Sequence, residues 1–150
     1  MISLFAFLHH LAAFTLVAAV AIELVLLRGE LTVTRARQIV AADLVLGASA
    51  GIVLLIGLAR VLRFEKGADY YLHNVAFIAK LSLFIIVALL SIYPTIQFLS
   101  WRRALGQGQV PSLADAKRRA LRMLLHVELT GIVLILLCAA LMAKGVGYFG

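Results

Sequence analysis

The fold is decided at the start of the chain, where residues 4–27 read LFAFLHHLAAFTLVAAVAIELVLL. At about 1.5 Å per residue, a helix of this length crosses the roughly 30 Å hydrocarbon core of a bilayer. No Lys or Arg precedes Arg28, and the apolar run is longer than the core of about 7–15 residues found in a secretory signal. We therefore expect this segment to be retained as a membrane-spanning helix.

Three further segments have the same character. The 150 residues are 64% hydrophobic with a mean hydropathy of +1.08, whereas soluble domains are roughly 45–50% apolar. Apolar runs bounded by charge predict spans at about 4–27, 38–62, 72–100 and 120–143. The prediction is an all-α integral membrane four-helix bundle, a single domain over residues 1–150 that is embedded in a lipid bilayer.

Lys and Arg are unequally distributed between the two ends of this predicted bundle. Nine flank the first and third links: Arg28, Arg35, Arg37, Arg102, Arg103, Lys117, Arg118, Arg119 and Arg122. Four lie at the opposite end: Arg60, Arg63, Lys66 and Lys144. Because cytoplasmic loops carry the excess of basic residues, the first and third links are predicted to be cytoplasmic. We therefore expect a multi-pass protein with both termini periplasmic or extracellular (N-out/C-out). The family resemblance described below implies that its membrane is the bacterial inner (plasma) membrane.

The same distribution explains the net charge of +7. Basic residues in short clusters beside apolar segments are typical of membrane topology, so no nucleic-acid partner is expected. The single cysteine, Cys138, lies in an apolar run, which excludes a disulfide framework and a paired-thiol metal site. No phosphate-binding loop or Ser/His/Asp arrangement appears, so soluble-type kinase or hydrolase chemistry is not expected.

The second span carries a stripe of small residues, GASAG, from Gly47 to Gly51. Small residues spaced four apart let neighbouring membrane helices approach closely. We favour an internal helix contact at this stripe. A homodimer face is the alternative, and membership of a larger membrane complex is also open.

Ionisable residues inside the predicted spans form two groups. Such residues are costly in a bilayer, so they normally face the bundle interior and mark functional sites. The outer group comprises His9, His10, His73 and Lys80. The inner group comprises Glu23, Asp43, His126 and Glu128.

The outer group favours a site with nitrogen ligands. His73 and Lys80 are seven residues apart, so on a continuous helix they share a face with Phe77. His9 and His10 point about 100° apart, so at most one of them faces a given partner. Neutral imidazoles inside a helical bundle are common ligands of haem iron. The alternative is that these histidines are wetted anchors at the membrane interface.

The inner group has two interpretations. Glu23 and Asp43 are expected at similar depth on antiparallel spans and are expected to face protein. Under the first interpretation they pair with basic residues near the same end: Arg35, Arg37, Arg119 or Arg122. Under the second they form a proton or ion path with Glu128 and His126. His126 and Glu128 differ by about 200° around their helix, so they do not form a two-residue metal motif. No metal other than haem iron is predicted.

The outer residues also carry a family resemblance. Residues 7–12 read FLHHLA and begin a span that ends at Leu27-Arg28, which resembles the first helix of the HemJ-type protoporphyrinogen oxidases. Residues 77–81 read FIAKL and resemble a later helix of that family, in which a lysine-leucine pair opens an apolar run. The copper-resistance CopD-like membrane domain is a looser likeness. The nearest resemblance is to an uncharacterised bacterial branch of such small four-helix membrane proteins.

This resemblance implies haem b bound through His10, or through His9 if the register shifts by one, and a catalytic role for Lys80. The chain departs from the family in having Ile78 two residues before the lysine, where the family has a histidine. Its nearest histidine there is His73. The first-helix tryptophan and the extra C-terminal helix of the family are also missing. The resemblance therefore implies haem binding more than porphyrinogen oxidation.

Two classes of function follow. The first is a haem b membrane protein acting in electron transfer or porphyrin oxidation, in which Lys80 points into the bundle towards the site that His9 or His10 lines. The second is a non-enzymatic membrane protein, either an ion or proton pathway or an accessory subunit of a larger complex. The second requires the inner carboxyl groups to converge.

The charge asymmetry predicts that the third link faces the cytoplasm. In a Cys138→Ala background, a Gln107→Cys variant should resist a membrane-impermeant maleimide in intact cells and react after permeabilisation. A Lys144→Cys variant should show the opposite pattern, because Lys144 follows the last span. Rapid labelling of Gln107→Cys from outside would reverse the predicted topology.

Overall fold

Four long helices make up most of the structure. The computed structural model describes residues 2–64, 71, 73–147 and 149. Its helices are α1 (Ile2–Arg28), α2 (Val33–Ala59), α3 (Val75–Ser100), the short α4 (Arg102–Gly106) and α5 (Asp115–Ala143), and a π-helical turn (Arg60–Phe64) extends α2. All four long helices are long and apolar enough to cross a membrane. The predicted all-α architecture with four candidate spans is therefore confirmed.

Local capping decides where two of these helices begin. The Thr32 hydroxyl accepts a hydrogen bond from the Arg35 backbone N–H at 3.2 Å, so α2 begins earlier than the predicted span. The Asn74 side chain accepts one from the Phe77 N–H at 3.1 Å, so α3 begins at Val75. His73 consequently precedes α3.

The long helices pack as two hairpins. The most extensive contacts are between α1 and α2 and between α3 and α5, whereas α1 and α5 join the hairpins along a smaller contact. Helices α2 and α3 contact each other only sparsely. A groove is left between them as a result.

The two ends of the bundle differ in composition. We call the end that contains Arg28, Arg37 and Arg118 the arginine end, and the end that contains His9 and His73 the histidine end. The apolar core extends from the middle of the bundle to the arginine end and includes Leu16, Val20, Leu24, Leu27, Ile39, Leu46, Phe98, Trp101, Leu121, Leu125 and Ile132. Helix α3 is the least buried of the four candidate spans. Much of its apolar surface is left for lipid or another chain.

Arginine side chains connect the links at the arginine end. The Arg37 guanidinium donates to the Leu105 carbonyl at 3.2 Å, which joins α2 to α4. The Arg118 guanidinium donates to the Gly29 carbonyl at 3.2 Å, which joins α5 to the first link. These bonds satisfy main-chain carbonyls in the last turn of α4 and just beyond α1, so the basic residues there stabilise the fold whatever the topology.

The predicted small-residue contact in the second span is wrong. A Cβ atom added to Gly47 or Gly51 would meet no atom of the structure within 4 Å. Close helix approach occurs instead between α3 and α5, where a Cβ on Gly131 would collide with the Cγ2 methyl of Val87. The stripe on α2 is open because α2 has little contact with α3.

The membrane orientation stays a prediction from the charge count. Lys66, which entered that count, lies outside the described residues. The remaining Lys and Arg residues of that count lie at the two ends of the bundle. Lys80 lies within α3, where the third span was predicted.

Candidate functional site

Three carboxyl groups are buried where α1, α2 and α5 come together. The exposed fractions of Glu23, Asp43 and Glu128 are 0%, 3% and 0%. Glu23 is close enough to interact electrostatically with both of the others, and Asp43 interacts with Glu128 in the same way. We call these three residues the acidic cluster. Glu23 and Asp43 face protein, as expected from their depth in the bundle.

Helical periodicity places each acid on the buried face of its helix. Residues three, four and seven positions apart share a helix face, and the buried neighbours of each acid follow that spacing. For Glu23 they are Leu16, Ala19, Val20 and Leu27; for Asp43 they are Ile39, Val40 and Leu46; for Glu128 they are Leu121, Leu125, Ile132 and Ile135. The acids are thus part of the same stripes that build the apolar core.

Helix α3 supplies hydroxyl groups to this cluster. The Ser91 hydroxyl donates to a carboxyl oxygen of Glu128 at 2.8 Å, and the Thr95 hydroxyl donates to one of Asp43 at 2.7 Å. Ser91 and Thr95 are four residues apart, so both lie on one face of α3. All four long helices therefore contribute a polar group to the same region.

Two oxygens of Glu23 and one of Glu128 are buried without a hydrogen-bond partner among the described residues. Over that part of the chain, the polar interactions of the acidic cluster involve the two hydroxyls and the carboxyls themselves. An unpaired buried charge is very costly in a bilayer. The cluster therefore requires an added proton or cation to offset its charge.

The predicted pairing of these acids with arginines is wrong for the described residues. The Arg35 guanidinium donates to the Glu30 carbonyl at 2.9 Å, and Arg37 donates to the Leu105 carbonyl. Neither Arg119 nor Arg122 hydrogen-bonds the acidic cluster. Arg35 and Arg37 therefore bond main-chain carbonyls near the arginine end of the bundle.

His126 does not belong to the acidic cluster. It is exposed, and its Nδ1 hydrogen-bonds the Arg122 carbonyl one turn earlier at 2.6 Å. Its neighbour Glu128 is fully buried, in agreement with the predicted angle of about 200° between them. The prediction that His126 joins a path with the carboxyl groups is wrong in this arrangement.

Three residues of the outer group, His9, His10 and Lys80, line a second site, which is a cavity of about 190 Å³ towards the histidine end. Its lining includes His9 and His10 from α1, Lys80 and Phe77 from α3, and Arg60 after α2. Lys80 and both histidines thus line the same cavity. We call it the histidine cavity.

The two adjacent histidines are held differently. A Cβ atom on Gly57 would lie 3.3 Å from Cε1 of His9, so the glycine allows His9 to pack against α2. His10 makes a 2.6 Å hydrogen bond between Nδ1 and the Ala6 carbonyl. Because a carbonyl only accepts, Nδ1 is the donor in this bond, and Nε2 is the ring nitrogen that is not engaged by it.

His73 lies apart from the histidine cavity. It is exposed, its carbonyl accepts from the Phe149 N–H at 3.1 Å, and its ring centroid is 5.7 Å from that of Phe149. The expected shared face with Lys80 is not formed, because α3 begins only at Val75. Phe77 and Lys80 do share a face, and both line the cavity.

A larger cavity of about 310 Å³ adjoins the histidine cavity. It lies between α2 and α3, and its lining is apolar apart from Ser91 and Thr95. The two hydroxyl residues therefore separate the acidic cluster from this cavity. Sequence reasoning missed both of them, although their spacing of four in the third span was the available signal.

The residues that the structure describes form no metal site of the usual kind. Among the described residues, no group of three or more His, Cys, Asp or Glu side chains could hold a metal ion. The carboxyls of the acidic cluster thus interact across the bundle without converging on one point. Their arrangement fits proton binding through separate hydrogen bonds.

These features define a four-helix integral membrane protein with an acidic cluster inside the bundle. The chain belongs to the family described as "Predicted membrane protein (DUF2214)", whose model matches residues 2–147. No curated protein and no solved structure matches it. Nothing in these comparisons supports the resemblance to HemJ-type oxidases or CopD-like domains.

The hydroxyls of α3 should contribute to stability through the acidic cluster. We expect Thr95→Val to lower the free energy of unfolding by about 1–3 kcal/mol, because it leaves a buried oxygen of Asp43 without its donor. Thermal unfolding in detergent measures the change. Thr130→Val is the matched control, since Thr130 is exposed and bonds only the His126 carbonyl of its own helix. Equal destabilisation by both variants would contradict the assignment.

Proposed function

We propose that this chain is a non-enzymatic membrane protein that conducts protons through the acidic cluster. The observation that carries the proposal is the burial of three carboxyl groups from three helices, with hydroxyl partners but no basic partner among the described residues. Ionisable groups inside membrane bundles are typical of proton and ion paths.

Protons fit the acidic cluster better than metal cations. Three ionised carboxylates would repel one another in a medium that screens charge poorly, and the two unpaired oxygens of Glu23 would add a large desolvation cost. A proton on one carboxyl offsets its charge without requiring other ligands. A metal ion needs several convergent ligands, which the described residues do not provide.

The neighbouring groups suggest how protons reach and leave the acidic cluster. Glu23 lies five residues before Arg28, which places it roughly 7–8 Å from the arginine end of α1. On the other side, the hydroxyls of Ser91 and Thr95 line the larger cavity. A hydroxyl both donates and accepts, so each can pass a proton between a carboxyl group and the groove.

Proton flux into liposomes tests this proposal. The purified protein should acidify a pyranine-loaded lumen when a potassium gradient and valinomycin supply the driving force. Glu128→Gln and Glu23→Gln should lower the rate at least about tenfold, because a positioned proton-transfer group contributes a factor of about 10² or more. Both variants replace the carboxyl with an amide of nearly the same shape.

Glu30→Gln is the matched control, since Glu30 is exposed in the first link at the same end. It should retain the wild-type rate. Flux that is unchanged in both cluster variants would refute the proposal. Absence of flux in the wild type would favour the accessory-subunit alternative.

A haem protein is the second candidate, and one specific observation favours it. The Nδ1–H of His10 is bound to a main-chain carbonyl, the arrangement that commonly orients a metal-ligating histidine. His10 would hold the iron through Nε2, and the Lys80 ammonium would pair with a propionate.

The histidine cavity, at about 190 Å³, is smaller than the roughly 300–1,000 Å³ of typical ligand sites. A porphyrin would therefore extend into the adjoining groove. Bound haem would supply one-electron transfer.

The absorption spectrum of protein purified from haem-replete cells tests this second candidate. A Soret band that disappears in His10→Ala and persists in His73→Ala is the expected result, because only the former lines the cavity. A colourless wild-type preparation would remove the candidate.

A further inference from the structure

We propose that the arginine end of the bundle binds the phosphate of an anionic phospholipid through Arg118 and Arg122. We call these two residues the arginine pair. They are separate from the acidic cluster and line neither cavity. The inference therefore stands or falls apart from proton conduction, and a lipid bound there leaves the groove between α2 and α3 open.

The guanidinium groups of the arginine pair are half-buried and incompletely paired. The Nε atoms of both residues are shielded from solvent and have no hydrogen-bond partner among the described residues. Arg118 donates to the Gly29 carbonyl. Over the part of the chain that the structure describes, the Arg122 guanidinium makes neither a hydrogen bond nor an ion pair. Because a donor removed from water without an acceptor costs free energy, this arrangement favours an acceptor from outside the chain.

The arginine pair also lacks a counter-charge. Its two members are four residues apart, so they lie on one face of α5, where like charges repel each other. The acidic side chains near this end are those of Glu30 and Asp115, which are exposed. Neither forms an ion pair with the arginine pair in the described structure. An anion that contacts both guanidinium groups would offset their repulsion.

The arginine pair faces away from the groove. Arg122 precedes Gly131 by nine residues, so at about 100° per residue the two point in opposite directions around α5. Gly131 is the residue at which α3 approaches α5 closely. The bond from Arg118 to the Gly29 carbonyl places the pair on the side towards the end of α1. An anion bound there does not enter the space between α2 and α3.

The depth of the arginine pair matches the head-group layer of a bilayer. Arg122 lies seven residues after Asp115, where α5 begins, which is about 10 Å along the helix. The exposed residues that follow on α5 include a series of large apolar ones: Met123, Val127, Val133, Leu134 and Leu137. The pair therefore lies where the polar start of α5 meets its apolar surface. A phosphate at this level belongs to a lipid whose acyl chains lie along that surface.

Membrane topology alone does not account for the burial of Arg122. Basic residues that only orient a helix remain accessible to water, as the exposed Arg102, Arg103 and Lys117 do. Arg122 is half-buried instead, with its Nε shielded. Basic pockets between membrane helices are typical sites for anionic head groups, and arginine binds phosphate through paired N–H groups.

Native mass spectrometry of the detergent-solubilised protein tests the proposal. Dioleoyl phosphatidylglycerol should bind at least about tenfold more tightly than dioleoyl phosphatidylcholine, in which a choline cation offsets the phosphate charge. Arg118→Gln with Arg122→Gln should abolish this preference. Arg102→Gln with Lys117→Gln should keep it, because that pair removes the same two charges from exposed positions at the same end. Equal binding of the two lipids by the wild type, or equal effects of the two double variants, would overturn the proposal.

Arg122→Gln alone separates lipid binding from folding. Since the Arg122 guanidinium bonds no described residue, the melting temperature of the lipid-free protein should stay close to that of the wild type while the preference falls. Inorganic phosphate in large excess should not displace the lipid, because the acyl chains also contribute to binding. Displacement by inorganic phosphate would identify free phosphate as the ligand and contradict the lipid assignment. A preference that is unchanged in Arg122→Gln would also contradict it.

Discussion

The structure depends on one constraint, which is that polar groups inside a bilayer must find partners within the protein. The carboxyls of Asp43 and Glu128 meet this constraint through hydroxyls of α3. The bond between Thr95 and Asp43 is also one of the few contacts between α2 and α3. The polar cluster thus contributes both to the proposed chemistry and to the assembly of the bundle.

The same arrangement creates the groove. Two hairpins joined mainly through α1 and α5 leave α2 and α3 with few contacts between them. Gly47 has open space in front of it, so the small-residue stripe borders a cavity where it was expected to form a helix contact. Ser91 and Thr95 then lie between the acidic cluster on one side and the groove on the other.

The two candidate sites have opposite electrostatic character. The acidic cluster contains carboxyl groups without basic partners among the described residues, whereas the histidine cavity combines imidazoles with Lys80 and Arg60. Their separation along the helices allows proton movement through the acidic cluster and ligand binding in the histidine cavity to be tested with different variants.

The sequence by itself determined the four spans, because length and apolar composition are sufficient to specify a membrane helix. The cost of an ionisable group in a bilayer also predicted that Glu23 and Asp43 face the interior, where both are buried. Only the tertiary structure decided the partners of the acids, because local charge spacing favoured arginines while helix packing brought Ser91 and Thr95 from α3. It likewise excluded His73, since the cap at Asn74 sets the start of α3. The spacing of Ser91 and Thr95 places both on one helix face, but it does not show which residues of a distant helix that face contacts. The partners of the acids therefore required the structure.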